Sequence, residues 1–483
     1  MAPRTTLNAR NLEALGAARL AELLMELSTG DAAAKRRLRL ELAGAQGAGD
    51  VAREVRRRLA SLARARGFVD WRRIRALAED LDAQRRAITE RVAPEDPAEA
   101  LDLMWRLLAL AGPVHERCDD SGGPVGDAFR EALADLGKIA VAARPDPEGL
   151  ADQAFHALQD NGYGQYDGLI AALAPALGTC GLAHLKARVA ALGEEPVEPP
   201  PEDEDEVVGW GPAGPMRAHD RVVRERRGTV RLALIDIADA QGDVDGFVAQ
   251  QSQEARRVPA IAAAIAHRLL GAERAAEALA ALDAAETGRW LEPPREWHEA
   301  WLEALEALGR DEEAQAARWA RFEAALSEDD LRAHLKRLPD FEDIEAEERA
   351  LGHAARHPGL LAALGFLLRW PALDRAAALV VARASELDGD AYWVLTPAAE
   401  ALAERHPLAA TLCLRAMIDF TVLEARSSRY RHAARHLAEC THLAARVADW
   451  GAAPPHEVYL AALRAAHGRK AGFWAAVEEA KGR

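Results

Sequence analysis

Two histidines and a cysteine follow one another at helical spacing near the C-terminus. In "RYRHAARHLAECTHLAAR", His432, His436 and Cys440 occupy successive i,i+4 positions. Imidazole nitrogen and thiolate sulfur are preferred ligands of Zn²⁺, so adjacent members of the row could share a metal ion. Eight residues of helix rise about 12 Å, however, so the three side chains cannot reach one ion without a ligand from another helix. Histidines that bond locally or face solvent are the alternative.

A glycine-rich stretch brings several reactive side-chain types together. "HERCDDSGGPVGD", residues 115–127, contains a histidine, a cysteine and the adjacent carboxylates Asp119 and Asp120. Cysteine–histidine or paired-carboxylate catalysis uses such groups, but no partner base can be identified, and adjacent aspartates diverge too readily to form a general acid–base pair. An Asp- and Ser-rich turn between two helices is the alternative.

Familiar catalytic motifs are absent from the sequence. It contains no Gly-x-Ser-x-Gly, no His-Glu-x-x-His and no phosphate-loop lysine. We therefore predict that the protein is not an enzyme and that it requires no cofactor or metal. A metal-dependent enzyme, centred on Asp119 and Asp120 or on His432 and His436, is a third hypothesis.

Tyrosines and glycines alternate in "DNGYGQYDG", residues 160–168. If Tyr163 and Tyr166 were exposed on a mobile loop, they would suit peptide recognition or base stacking. The Gly-x-Gly spacing does not indicate a phosphate loop, because no strand precedes it and no lysine–serine pair follows. A turn between helices whose tyrosines pack inward is the alternative.

The chain carries one strongly basic segment. Residues 35–91 contain 16 Lys or Arg against 8 Asp or Glu, and part of this charge lies opposite a predicted apolar stripe, where it could contact phosphates. A solvated helix face with local ion pairs is the alternative. The acidic residues 194–206 could also fold onto this face and compete with nucleic acid. The candidate contacts are Arg53, Arg57, Arg64, Arg72 and Arg73.

Composition favours a helical protein. Hydrophobic residues make up 49 % of the 483 residues, many of them alanine, whereas aromatic residues make up 5 % and strand-forming runs are scarce. The formal charge of −16 argues against coating nucleic acid or lipid with the whole surface. The four scattered cysteines form no C-x-x-C pair, and the apolar stretch "LLAALGFLL" is far shorter than the roughly 20 residues of a membrane span. We predict an all-α cytoplasmic protein that does not bind membranes.

One segment interrupts the helical pattern. "GEEPVEPPPEDEDEVVGWGPAGP", residues 193–215, combines prolines, which remove backbone donors, with mutually repelling carboxylates. We expect an acidic, proline-rich linker at 194–215. It would separate a helical N-terminal lobe, 1–193, from a C-terminal lobe, 216–483.

The predicted C-terminal lobe repeats one local pattern. "ALGRDEEAQAARW", residues 307–319, is typical of a helix end, a glycine, a charged turn and a second helix. Similar corners recur at intervals of roughly 30 to 40 residues, close to the length of a tetratricopeptide hairpin. Because such hairpins bury their apolar faces by stacking, we predict a tetratricopeptide-like α-solenoid. The corner markers are Gly242, Gly271, Gly309, Asp340, Pro371 and Glu404.

Several segments together resemble a known family. "TLNARNLEALGAARLAELLMELSTG", "ERCDDSGG", "DNGYGQYDGLI", "RYRHAARHLAEC" and "VYLAALRAAHGRKAGFWAAVEE" are similar to a bacterial all-helical family of unknown function, over nearly the whole chain. Parts are also similar to the helical region that follows the zinc motif of SWIM-type zinc finger proteins. That motif, C-x-C followed by C-x-H, is absent here, so zinc binding and any linked nucleic-acid role do not carry over. The resemblance implies a helical fold and supplies no reaction.

The sequence favours an interaction protein. Stacked helical hairpins form extended grooves without a reactive centre, so we predict a protein–protein interaction scaffold or adaptor that binds a partner segment on the repeat surface. A nucleic-acid-associated regulator that uses the basic helices of residues 35–91 is the alternative.

Overall fold

The computed structural model describes residues 7–201, 205–211, 214–289 and 293–481. Most of these residues are helical, and two short strands are present, which confirms the predicted all-α fold. The chain forms two compact units. The first comprises Met1–Arg274 and Ala280–Pro294, and the second comprises Ala275–Leu279 and Arg295–Arg483.

The first unit is a helical assembly with one β-hairpin. A π-helical turn, Ile88–Val92, continues its fifth helix, and strands β1 (Val207–Gly211) and β2 (Gly214–Arg217) pair antiparallel. The helices, in chain order, are α1 (Ala9–Glu13), α2 (Ala17–Ser28), α3 (Ala32–Gly44), α4 (Ala48–Arg64), α5 (Ile74–Ala87), α6 (Pro97–Leu108), α7 (Ala111–His115), α8 (Pro124–Ala143), α9 (Pro147–Gln159), α10 (Leu169–Glu194), α11 (Ala218–Gln241), α12 (Val244–Ala249), α13 (Gln253–Arg256) and α14 (Pro259–Gly271).

The second unit consists of short helices in series. Helix α15 (Ala275–Asp283) contains the boundary between the units, and short 3₁₀ turns lie at Thr287–Arg289, Ala384–Glu386 and Ser427–Arg429. The helices that follow are α16 (Arg295–Ala307), α17 (Asp311–Ala325), α18 (Glu328–Leu335), α19 (Glu342–Arg356), α20 (Leu360–Arg369), α21 (Leu373–Ala382), α22 (Tyr392–Leu402), α23 (Pro407–Leu423), α24 (Tyr430–Ala444), α25 (His456–His467) and α26 (Ala471–Lys481).

Aspartate–proline pairs start two helices of the first unit. Asp96 Oδ1 accepts a hydrogen bond from the Glu99 N–H at 3.0 Å, and Asp146 Oδ2 accepts one from the Gly149 N–H at 2.8 Å. The proline that follows each aspartate occupies the first helical position, where no backbone donor is needed. Local sequence thus fixes where α6 and α9 begin.

Helix α10 lies at the centre of the first unit. It packs against α8, α9 and α11, and its buried leucines join their core. By length and composition alone, α10 could also cross a membrane. It is a longer apolar helix than the stretch "LLAALGFLL" considered from the sequence. Its packing accounts for its buried leucines, and 39 % of its most apolar stretch is buried.

Helices α8 and α10 approach closely at Gly137. A Cβ atom there would lie 2.5 Å from the carbonyl oxygen of Ala172. Gly137→Ala is therefore expected to lower the free energy of unfolding by about 1–3 kcal/mol, because the two helices must move apart. At Gly228, inside α11, a Cβ would have no neighbour within 4 Å. Gly228→Ala is the matched control and should stabilise by about 0.5–1 kcal/mol, and urea denaturation of the full chain measures both changes. Equal effects at the two positions would contradict the close approach.

The acidic segment does not divide the chain into its two units. Helices α10 and α11, which flank the predicted linker 194–215, pack against each other, and Ala233 and Ile237 of α11 belong to the first core. The boundary falls instead near residues 275–295, so the predicted lobes 1–193 and 216–483 differ from the observed units. The β-hairpin, which was also not predicted, occupies part of the segment. Burial of the apolar face of α11 explains the difference, because it outweighs the polarity of the connection.

The second unit is a stack of helical hairpins. Helices α17, α19, α21 and α23 contact one another in succession, α20 contacts α22, and α26 packs on α24. The predicted corners at Gly309, Asp340, Pro371 and Glu404 all fall between helices, which confirms the repeat in this unit, whereas Gly242 and Gly271 lie at the ends of α11 and α14 in the first unit. Gly309 has φ +70°, a left-handed conformation that glycine adopts without strain at a helix end.

Candidate functional site

Three segments that the sequence analysis treated separately meet in the first unit. The loop between α4 and α5 lies beside residues 117–119, where the Val69 N–H donates to the Arg117 carbonyl at 2.8 Å and the Asp119 N–H donates to the Val69 carbonyl at 3.2 Å. His115 stacks on Tyr163, with ring centroids 5.0 Å apart and an interplanar angle of 15°. The basic segment, the Asp119–Asp120 loop and the tyrosine loop are therefore neighbours.

Asp119 and Asp120 stabilise a turn and the start of a helix. Asp120 accepts hydrogen bonds from the N–H groups of Val125 and Gly126, at 3.0 and 2.9 Å, at the beginning of α8. Asp119 accepts bonds from the hydroxyl and the N–H of Ser121, and these bonds lower the pKa of Asp119. This geometry fits the interhelical turn and does not support a general acid–base pair.

Cys118 lacks the environment of an activated nucleophile. Burial of the thiol and, to a smaller degree, the charge of Asp120 raise the pKa of Cys118. A catalytic thiol needs a lowered pKa, which a nearby cation or helix N-terminus usually provides. The loop therefore gives no support to cysteine–histidine chemistry.

The two tyrosines have different environments. Tyr166 is buried with its ring centroid 6.2 Å from that of Trp105, and burial raises the pKa of Tyr166 to about 12. Tyr163 is 51 % exposed. Tyr166 is a core residue and not a contact residue, as the inward-packing alternative stated, whereas Tyr163 is available at the surface.

The predicted basic contacts also separate into two groups. Arg53 and Arg57 pair with acidic residues one turn earlier on α4, Asp50 and Glu54, as expected of a solvated helix face. The arginines of the second group are exposed and form no ion pair within the residues that the structure describes. These are Arg64, Arg72 and Arg73.

Two exposed aromatic residues, which were not predicted from the sequence, lie beside the unpaired arginines. Phe68 and Trp71, on the loop between α4 and α5, are 69 % and 66 % exposed. The Arg72 guanidinium carbon lies 5.1 Å from the centroid of the Trp71 ring. The alternation of arginine and aromatic residues in "RARGFVDWRRIR" was the available signal.

The acidic segment contacts α11. The His219 N–H donates to Asp205 Oδ1 at 3.1 Å, and Arg226 Nη1 donates to the Glu195 carbonyl at 3.1 Å. Within residues 194–201 and 205–206, no carboxylate forms an ion pair with the basic segment. The described part of the segment therefore does not fold onto the basic face.

The structure separates the environments of His432, His436 and Cys440. His432 Nδ1 lies 2.9 Å from Arg435 Nη2, while burial lowers the pKa of His436 to about 4. Cys440 is fully buried, which raises its pKa to about 12, and its Sγ lies 3.9 Å from the Thr411 carbonyl oxygen. Among the described residues, no three His, Cys, Asp or Glu side chains are grouped to hold a metal ion.

A groove of about 440 Å³ crosses successive hairpins of the second unit. One wall is a face of α21 on which Asp374, Ala377, Ala378 and Val381 follow the i, i+3, i+4, i+7 spacing of a helix. The start of α23 and residues 446–449 complete the lining. Apolar side chains form most of the groove, and its polar side chains are Asp374, His406, Arg446 and Asp449.

A second cavity, of about 460 Å³, lies among α16, α17 and α18 and is lined mainly by charged side chains. The Arg318 side chain is only 4 % exposed and pairs with Glu306. Arg337 also pairs with Glu306, with 2.6 Å between Nε and Oε1. Glu306 thus neutralises a buried cation, which gives these residues a structural role.

Comparisons with known proteins place the chain in a family. No curated protein is significantly similar to it. A similar solved structure, described as "Circular tandem repeat protein with novel repeat topology and enhanced subunit contact surfaces", is 13 % identical over 95 % of this chain and 92 % of that chain. Its TM-score is 0.14, so the two folds do not superpose as a whole. The model of a "Family of unknown function (DUF6880)" matches residues 2–476, and the chain therefore belongs to this family.

Proposed function

We propose that the protein is a non-catalytic scaffold of the cytoplasm, and that the groove beside α21 in its second unit binds a segment of a partner protein. The observation that supports this proposal most directly is the continuous helical stripe that α21 presents to the groove. Stacked helical hairpins commonly bind extended or helical segments on such surfaces. The resemblance to SWIM-type zinc finger proteins stays a prediction and adds nothing to the proposal.

The lining of the groove suits an amphipathic segment. Val381 and Ala378 are exposed. An apolar side chain of the partner that packs on them is therefore removed from water, and the core of the second unit does not have to rearrange. The volume of about 440 Å³ lies within the roughly 300–1,000 Å³ range of binding sites, which leaves room for a few apolar anchors. Asp374 and Arg446 carry opposite charges and could orient a segment with charged flanks.

Selection from a displayed library of random peptides tests the groove. We expect the full-length chain to enrich peptides with apolar residues at helical spacing, and Ala378→Glu or Val381→Glu to weaken their binding at least tenfold, because a carboxylate would be desolvated in the complex. Val458→Glu, on the exposed face of α25 and outside the groove, is the matched control and should bind normally. Fluorescence anisotropy with a labelled selected peptide measures the affinities. Failure to enrich any peptide, or equal losses in all three variants, would contradict the proposal.

A further inference from the structure

We propose that the first unit has a separate binding surface for single-stranded nucleic acid, formed by the exposed loop between α4 and α5 and by the adjoining arginine-lined pocket. We call residues 64–75 the aromatic–arginine loop. This surface is independent of the groove in the second unit. It overlaps the basic face predicted from the sequence, because it contains all of the predicted contacts except Arg53.

The aromatic–arginine loop carries a net positive charge on arginines that are not ion-paired in the described part of the chain. Its five arginines are exposed and form no ion pair within the described residues, and Asp70 is its single carboxylate. Asp70 Oδ1 accepts hydrogen bonds from the N–H groups of Arg72 and Arg73, at 3.0 and 3.2 Å, so its charge is turned toward the backbone. The loop therefore has a formal charge of +4. The arginines are Arg64, Arg66, Arg72, Arg73 and Arg75.

Two exposed aromatic rings lie among these arginines. Phe68 and Trp71 are each about two-thirds exposed, although Val69, which follows Phe68, is fixed by two backbone hydrogen bonds to residues 117–119. The rings are thus presented from a fixed backbone and lose little freedom when a base stacks on them. Base–aromatic stacking contributes about 1–3 kcal/mol per base and tolerates any sequence, because every base has a π face.

A pocket beside the loop offers a phosphate group one arginine, Arg39, that is unpaired among the described residues. It has a volume of about 280 Å³ and is lined by four arginines and by Leu40, Glu54, Ser61 and Gln84. Asp80 pairs with Arg36 and Arg58, and Glu54 pairs with Arg57, whereas Arg39 is exposed and has no ion pair within the described residues. Ser61 and Arg64 are separated by about 4.5 Å of helix rise, so the pocket and the loop adjoin along α4. The four arginines are Arg36, Arg39, Arg57 and Arg58.

The arrangement favours a single strand over other polyanions. A duplex would present phosphates to the arginines but would keep its bases stacked away from Phe68 and Trp71. A bilayer is flat and would meet a wide face of a protein whose remaining residues carry a formal charge of −20, the difference between −16 for the chain and +4 for the loop. A single strand follows a narrow path and offers both bases and phosphates.

Fluorescence anisotropy with labelled mixed-sequence 12-nucleotide DNA and RNA tests the proposal on the full-length chain. We expect saturable binding at 50 mM salt, and at least a tenfold loss of affinity in the double variant Phe68→Ala/Trp71→Ala. Phe341→Ala, which removes a 79 % exposed ring from the second unit, is the matched control and should bind as the wild type does. Circular dichroism checks that the variants are folded, which their exposure predicts.

The salt dependence separates phosphate contacts from stacking. If four phosphates are neutralised, log K should fall with log salt with a slope near −3, and Arg39→Gln/Arg64→Gln should make this slope shallower by about 1.4. Two results would overturn the proposal: no saturable binding of either oligonucleotide, or binding to phosphatidylserine vesicles that the oligonucleotides do not compete away. Val381→Glu should leave oligonucleotide affinity unchanged, so failure of this proposal and failure of the groove proposal can be told apart.

Discussion

Replacement of Phe322 by alanine is expected to lower the free energy of unfolding of the second unit by about 3–5 kcal/mol. Phe322 of α17 is fully buried, and its ring centroid lies 5.4 Å from that of Phe366 in α20 and 5.9 Å from that of His353 in α19. It therefore joins three consecutive hairpins. The cavity left by the ring would remove dispersion contacts on all of these helices, which rigid helices cannot restore by small movements.

Hydrogen exchange of the full-length chain measures this effect where it arises. Amide protection should fall in peptides from α17, α19 and α20, whereas peptides from the first unit should keep their protection. Phe341→Ala is the control, because that ring is exposed and its removal should change stability by less than about 0.5 kcal/mol. A loss of protection as small as that of the control would show that the packing around Phe322 does not hold the hairpins together.

Replacement of Glu306 by leucine is expected to lower the free energy of unfolding by about 3 kcal/mol at neutral pH. Arg318 would keep its buried position but lose its carboxylate partner, and the remaining contact with Gln315 Oε1, at 3.3 Å, carries no charge. The double variant Glu306→Leu/Arg318→Met should recover most of the loss, since removing both charges leaves no buried ion to desolvate. Urea denaturation of the three proteins measures these differences. A double variant no more stable than Glu306→Leu would show that the pairing is not the cause.

The same ion pair predicts a pH dependence. Burial tends to raise the pKa of Glu306, but hydrogen bonds from Arg337 and Arg318, together with their charges, outweigh it and hold the pKa below the ordinary value of 4.5. The folded state therefore favours the ionised carboxylate, and its contribution is complete above pH 4.5 and is lost as the pH falls through the folded-state pKa. The stability difference between wild type and Glu306→Leu should shrink below about pH 4.5. A difference that stays constant from pH 7 to pH 3 would contradict this assignment.

Local signals in the sequence predicted most of the fold. Alanine-rich helices and repeated corners such as Gly309 depend on interactions within a few residues, so the helical fold and the hairpin series could be recognised. Asp70 is of a residue type that favours helix starts, and it accepts two backbone hydrogen bonds four residues before α5 begins at Ile74. The position of the boundary between units was not predictable in this way. It depends on whether the apolar face of α11 packs against other helices of the chain, and amino-acid composition does not predict such packing.

The candidate surface was predicted only in part. Charge counting identified the basic segment, but it could not separate Arg53, which pairs on its own helix, from Arg64, which does not. The exposed rings of Phe68 and Trp71 flank a backbone position, Val69, that pairs with residues 117–119. That pairing joins residues about 50 positions apart through main-chain atoms, so it leaves no pattern of side chains to recognise.

The stacking of neighbouring hairpins bears on how the second unit acquires its structure during synthesis. Each hairpin buries its apolar face mainly on hairpins adjacent in the chain, so no long loop has to close before contacts form. A ribosome-bound chain can therefore add one hairpin at a time to an existing edge as it emerges. Helix α26 packs on α24 and covers apolar surface that α24 would otherwise leave open to water and to other nascent chains.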